Sequence, residues 1–272
     1  MAKTYTLEDA LYLMARLRDP KDGCPWDIKQ TMQDITHYTI EECYELVDAI
    51  SQGDIQHTEE ELGDVLFQVI FYAQIAKEDG DFDFASIVDK LVTKLVRRHP
   101  HVFPQADLYQ RFGYQPNETD EIKSAWEAIK SEERAAKQKS GLLDDVPNAL
   151  PALSRAQKLQ KRAASVGMDW SSVDDVIEML KSEVKELENA IHKQDTANIE
   201  EEVGDVLFSA VNVARTLKLD SEKSLRQAND KFKLRIECME QLAERDSISL
   251  ADCSEAQLDA FWQQAKRELQ TS

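Results

Sequence analysis

The chain has 272 residues, 42% of them hydrophobic, only 8 Gly and 7 Pro, and a formal net charge of −19. This length holds one large domain or two ordinary ones, and a field of this sign argues against a nucleic-acid or anionic-lipid partner. No apolar run reaches 18 residues and no basic segment leads into one, so the expectation is a soluble cytoplasmic protein without a membrane span or secretory leader.

Low Gly and Pro, with much Ala, Leu, Glu, Lys and Gln, favours helix. A 3.6-residue periodicity predicts helices over about 6–18, 34–52, 56–78, 84–97 and 118–138. A second set is predicted over about 149–164, 172–193, 196–217, 221–245 and 255–270. Val65, Leu66, Val69, Ile70 and Ala73 make one expected core stripe; Val176, Ile177, Leu180, Val184 and Leu187 make another. Residues 100–117 read as an irregular loop. With no strand signal, the fold class is all-α, each half a small helical bundle. Ser140-Gly141 closes one helical pattern, and Pro147 and Pro151 bracket the next, which sets domains at 1–140 and 141–272. The four cysteines, Cys24, Cys43, Cys238 and Cys253, are scattered without a C-x-x-C pair. That suits reduced thiols in a cytoplasm, not a disulfide scaffold or zinc site.

The two halves echo each other. "EEELGDVLFQV" at Glu59–Val69 returns as "EEEVGDVLFSA" 141 residues later. "GCPWD" at Gly23, "EECYEL" at Glu41, "KLVRR" at Lys94 and "AWEAIKSEE" at Ala125 find looser echoes at Gly167, Ser182, Lys231 and Phe261. Five echoes in one order mark an internal duplication, with a period too long for a solenoid.

Charge is unevenly placed. Between Lys29 and Lys77 there is no Lys or Arg, yet the interval holds ten acids. Glu42 and Glu45 stand at i, i+3 on one helix face, and Glu61 and Asp64 do so on the next helix. A short turn around Gly53-Asp54 makes the two helices antiparallel neighbours, so the pairs should face each other. Four carboxylates at one spot cannot all ionise unassisted, and two divalent cations would balance them. Oxygen ligands with no nearby His or Cys point to Mg²⁺, or Mn²⁺ in its place. The same set recurs as Glu183, Glu186, Glu202 and Asp205.

A carboxylate-held Mg²⁺ commonly meets a phosphate, so cations should follow. Lys94 and Arg98 stand at i, i+4, as do Lys231 and Arg235. Trp126 and Lys130 repeat that spacing, as do Trp262 and Lys266. Such Lys and Arg can clamp phosphate oxygens, and a nearby Trp can stack a base. Asp34-x-x-His37 and Asp54-x-x-His57 lie at helix starts without recurring, which argues against a di-iron bundle. His99-Pro-His101 reads as structural, and there is no Walker A loop or G-x-S-x-G elbow.

"GCPWD", "EECYE", "EEELGDVLFQVIFYAQ" and "RRHPHVF", in this order and with the tandem repeat, resemble the MazG family of all-α nucleoside triphosphate pyrophosphohydrolases. The resemblance covers almost the whole chain. It implies Mg²⁺-dependent hydrolysis of a nucleoside triphosphate to the monophosphate and pyrophosphate, in a homodimer of tandem domains. It places metal ligands at Glu183, Glu186, Glu202 and Asp205, and in the first copy at Glu42, Glu45, Glu61 and Asp64. It places nucleotide contacts at Lys231, Arg235, Trp262 and Lys266. It favours the C-terminal copy as the competent one, although Ser182 stands where the first copy keeps Glu41. The mechanism expected is in-line attack on the α-phosphorus by a metal-activated water, with Glu201 or its counterpart Glu60 as general base. The non-enzymatic alternative is a tandem helical scaffold that binds a nucleotide or a protein; a scaffold has no need for all four acids in both copies.

Overall fold

Residues 4–111, 126, 129 and 141–270 are described by the computed structural model. Among them are helices, turns and loops but no strand, so the all-α expectation holds. The chain divides into two compact units, residues 1–130 and 131–272. The expected boundary at Ser140 lies outside the described residues, as does most of the helix expected over 118–138; Trp126 and Ile129 are helical.

In the first unit α1 (Leu7–Leu17) starts at Thr6, where Thr6 and Asp9 form a reciprocal capping box. A single turn, α2 (Pro25–Lys29), follows; five residues are too few for periodicity to reveal. Then come α3 (Thr36–Gln52), α4 (Ile55–Asp79) and α5 (Phe84–Arg98). The carboxylates of Asp54 and Asp83 accept backbone N–H groups in the first turns of α4 and α5. The second unit holds α6 (Ala152–Ala164), α7 (Val173–Lys193), α8 (Thr196–Thr216), α9 (Ser221–Arg245) and α10 (Glu255–Glu268). Ser172, Asp195 and Asp220 cap α7, α8 and α9 in the same way. Within the segment expected to be irregular, Pro104–Ala106 form a 3₁₀ turn.

In unit one α3 and α4 form an antiparallel hairpin, and α1 and α5 also pack on α4. Met14, Ile35, Ile70, Phe71 and Ile75 make its core. Arg18 is buried against that core, its guanidinium donating to the Glu78 carboxylate and to the carbonyls of Asp27 and Gln30. A buried cation answered on every side binds the loop carrying α2 to α1 and α4. That loop is tight. A Cβ on Gly23 would meet the carbonyl oxygens of Leu17 and Asp19 at 2.5 Å, so the first residue of "GCPWD" serves the architecture. In unit two the α7–α8 hairpin packs with α6 and α9, and Met239, Leu242, Ala243, Phe261 and Ala265 form a core between α9 and α10.

The expected stripes need correction. Ile70 and Ala73 are buried, but Leu66 and Val69 are 43% and 37% exposed. α4 is apolar on two sides, and unit one buries the side that meets α1 and α3. Leu62, Leu66 and Val69, at i, i+4 and i+7, form a separate outer strip. On α7, Val176 is buried but Val184 is exposed; the inner line runs Val176, Leu180, Glu183, Leu187, Ala190.

The two hairpin turns match in position and differ in chemistry. Gly53 closes α3 with φ 73°, a left-handed conformation that glycine adopts without strain. Its counterpart Gln194 is held at φ 57°, ψ 31°, where a Cβ costs about 1 kcal/mol. Gln194→Gly is therefore expected to stabilise unit two by about 0.5–1 kcal/mol, read as a higher urea midpoint by circular dichroism. A lowered midpoint would show that Gln194 is not strained.

Candidate metal centre

Each hairpin brings its acids to one place because one on each helix lies on its packing line, Glu42 and Glu61 in the first copy and Glu183 and Glu202 in the second, while Glu45 and Glu186 stand exposed beside them. On α3 the inward positions are Tyr38, Glu42, Leu46 and Ala49, continuing from Ile35. Glu42 thus occupies a core position, one turn from its apolar neighbours. On α4 Glu61 is in line with Val65, Gln68 and Tyr72, and it is only 6% exposed. Oxygens of Glu42, Glu45 and Glu61 all lie within 4.8 Å of one another. Glu183, Glu186 and Glu202 form the same cluster between α7 and α8. The structure thus gathers three of the four expected acids in each copy.

The fourth acid stands at the edge. Asp64 and Asp205 are exposed and lie outside the tight clusters. Their charges still reach inward. Burial pushes the Glu42 carboxyl above the ordinary glutamate range, and among the charges that add to this Asp64 comes first, followed by Glu45, Glu61 and Glu41. Burial likewise raises Glu183, helped by Glu186, Asp205 and Glu202. Glu202 is raised by burial and by the charges of Glu186, Asp205 and Glu201. Lost hydration and like charge act in one direction here.

None of these eight acids forms an ion pair with Lys or Arg among the described residues. The Oε2 atom of Glu61 is buried with no hydrogen-bond partner. An orphaned anionic oxygen in an all-oxygen cluster fits a hard divalent cation such as Mg²⁺ or Mn²⁺. One expectation is overturned: a histidine does stand beside the first cluster. His57 Nε2 is 2.8 Å from Glu61 Oε1, on the same face one turn earlier. The i, i+4 spacing was visible in the sequence, but its position at the helix start hid the contact. Glu60 and Glu201 are exposed beside the clusters. Ser182, in place of a glutamate, sits with its Oγ 3.3 Å from Glu186 Oε1.

The basic and aromatic residues form a separate group on α9 and α10. The Arg235 guanidinium lies over the Trp262 ring, 5.2 Å from its centre. Phe232, 58% exposed, sets its ring 5.8 Å from Trp262. Sequence reasoning missed Phe232, although it lies between Lys231 and Arg235. Lys231 is exposed and Lys266 half-buried. None of Lys231, Arg235 and Lys266 forms an ion pair with the carboxylate cluster of its own unit among the described residues. In the first copy Lys94 is exposed, Arg98 half-buried, and Trp126 stands 6.3 Å from His99. Lys130 lies outside the described residues. His99 Nδ1 is 2.6 Å from the Leu95 carbonyl, the structural role expected of it.

A paired helical hairpin with clustered acids, twice in one chain, defines a class, and comparison with known proteins agrees. The model of the MazG nucleotide pyrophosphohydrolase domain matches residues 30–103 and again 171–239. The chain is 43% identical to the nucleoside triphosphate pyrophosphohydrolase of Escherichia coli (strain K12), over 96% of this chain and 97% of that one. It is 42% identical to the Thermotoga maritima protein named nucleoside triphosphate pyrophosphohydrolase/pyrophosphatase MazG, over 95% of each chain. A solved structure of a mazG-related protein from Thermotoga maritima aligns with 46% of this chain and 99% of its own, at 26% identity and a TM-score of 0.38. The chain belongs to the MazG nucleotide pyrophosphohydrolase family, and it is an enzyme.

Carboxyls raised on folding destabilise the folded state once they ionise. That cost is absent when both states are protonated and grows as pH rises from the ordinary glutamate value of 4.5 through the higher folded values of Glu42, Glu183 and Glu202. A bound cation reverses it. Mg²⁺ is therefore expected to raise the melting temperature more at pH 7 than at pH 4.5, by scanning calorimetry. Equal shifts at both pH values would count against these acids as the ligands.

Proposed function

We propose that this protein hydrolyses nucleoside triphosphates to the monophosphate and pyrophosphate, with Mg²⁺ held at the carboxylate clusters. The observation that carries this is the duplicated cluster, unpaired by Lys or Arg, with the orphaned Glu61 oxygen in the first copy. The names of the two relatives give the substrate class. Glu183, Glu186, Glu202 and Asp205 would hold the cation in the second copy, and Glu42, Glu45, Glu61 and Asp64 in the first.

A cation held there would supply positive charge against the triphosphate and would make a water easier to deprotonate. Glu201, whose charge is felt at Glu202, accepts the proton of the attacking water; Glu60 takes that role in the first copy. Lys231 and Arg235 neutralise the departing pyrophosphate. Trp262, with Arg235 over its face, offers a stacking surface for the base. Lys94, Arg98, Trp126 and Lys130 are the first-copy counterparts.

The protein acts as a homodimer in the cytoplasm. Leu62, Leu66 and Val69 on α4, and Val203 and Leu207 on α8, are exposed apolar strips of the kind a second copy covers. Four free cysteines suit a reducing compartment, and no helix among the described residues is long and apolar enough to cross a membrane.

Incubation with each common ribo- and deoxyribonucleoside triphosphate, with Mg²⁺ or with EDTA, is expected to give monophosphate and pyrophosphate only with the metal. Diphosphate and phosphate would move the attack to another phosphorus. Binding without turnover would favour the scaffold. Glu202→Gln is expected to lower kcat by about 100-fold or more while the helical signal stays unchanged. Full activity in that variant would transfer the reaction to the first copy.

A further inference from the structure

The two clusters are unequal beside one ligand. His57 precedes Glu61 by one turn, and its Nε2 is 2.8 Å from Glu61 Oε1. Its backbone is pinned as well, since the His57 N–H donates to the Asp54 carboxylate at 3.0 Å. Glu61 is 6% exposed and its Oε2 atom has no partner. The imidazole therefore occupies one oxygen of the carboxylate and leaves the other for a ligand. His57 is not itself within the tight cluster of Glu42, Glu45 and Glu61, so it acts through Glu61.

The second copy lacks this support. Asn198 stands at the matching position, and among the described residues its side chain makes no hydrogen bond to Glu202. Glu202 is half-buried and correspondingly less confined than Glu61.

We propose that His57 is a positioning residue that makes the first-copy cluster the tighter of the two divalent-cation sites in this chain. The inference rests on the metal-binding function proposed above. A carboxylate ligand that must be ordered when the cation arrives loses affinity to that ordering. One already held through its second oxygen does not. Outer partners of this kind change metal affinity by about 10–100-fold. The first copy would load first, and the second would load as the cation concentration rises.

Binding of Mn²⁺ alone to the full-length, metal-free chain tests this, with free Mn²⁺ counted by electron paramagnetic resonance. Two classes of site are expected, separated by about 10–100-fold. Glu61→Gln should abolish the tight class and spare the weak one. His57→Asn should loosen the tight class until the two merge. Asn is too short to reach Glu61; His57→Gln carries its N–H donor about as far out as the imidazole Nε2 and should restore part of the difference. Asn198→His adds the support instead of removing it, and should tighten the weak class. Two equal classes in the unaltered protein would overturn the positioning role alone, as would a His57→Asn titration that superimposes on it. Loss of the tight class in Glu202→Gln rather than Glu61→Gln would overturn it too. No saturable Mn²⁺ binding at all would overturn the metal reading with it.

Discussion

Carboxylates placed on the packing line of a helical hairpin are the constraint on which each copy depends. Glu42 occupies a turn that would otherwise belong to the core, and Glu61 faces it from the neighbouring helix, almost wholly out of solvent. Burial is the first cause of the raised carboxyls and like charge the second. That order matters. Exposed acids clustered by chance repel each other weakly through water, whereas acids that have lost their hydration need a partner in the fold or from outside it. The fold offers these acids no Lys or Arg among the described residues, and the proposed cation would take that place.

Much of this was legible in the sequence. Helix bounds could be read because polar caps sit beside periodic segments; Thr6, Asp54, Asp83, Ser172, Asp195 and Asp220 all do what their position suggests. The meeting of the acids could be read because an i, i+3 pair on each of two adjoining helices, repeated in the second half, is hard to obtain otherwise; three of the four in each copy do come together. What could not be read depends on which neighbour a face meets. Periodicity shows that Leu62, Leu66 and Val69 share a face but not that the face points outward. The ring of Phe232 comes beside Trp262 only through the packing of α9 on α10. The His57–Glu61 pair is a matter of rotamer, which spacing permits without requiring.

Of the many positions at which the two hairpins differ, three bear on the turn and the acids. Gly53 becomes Gln194 at the turn, Glu41 becomes Ser182 on the outer side, and His57 becomes Asn198 one turn before Glu202, the counterpart of Glu61. The inner acids are retained while their surroundings change. Ser182 replaces a charge with a hydroxyl near Glu186, which lessens the repulsion the second cluster must bear. Duplication has left two versions of one acidic cluster that differ in the charge around them and in the residue one turn before Glu61 and Glu202.

The two-residue turn between α3 and α4 has a kinetic side. All four acids of the first copy's motif fall between Glu42 and Asp64, whereas Arg18 must find Glu78 across 60 residues. Contacts so close along the chain have low contact order and form on the time scale of local helix pairing. Closing so short a loop also sacrifices little chain entropy. The groups that most resist being held together are those the chain can bring together soonest.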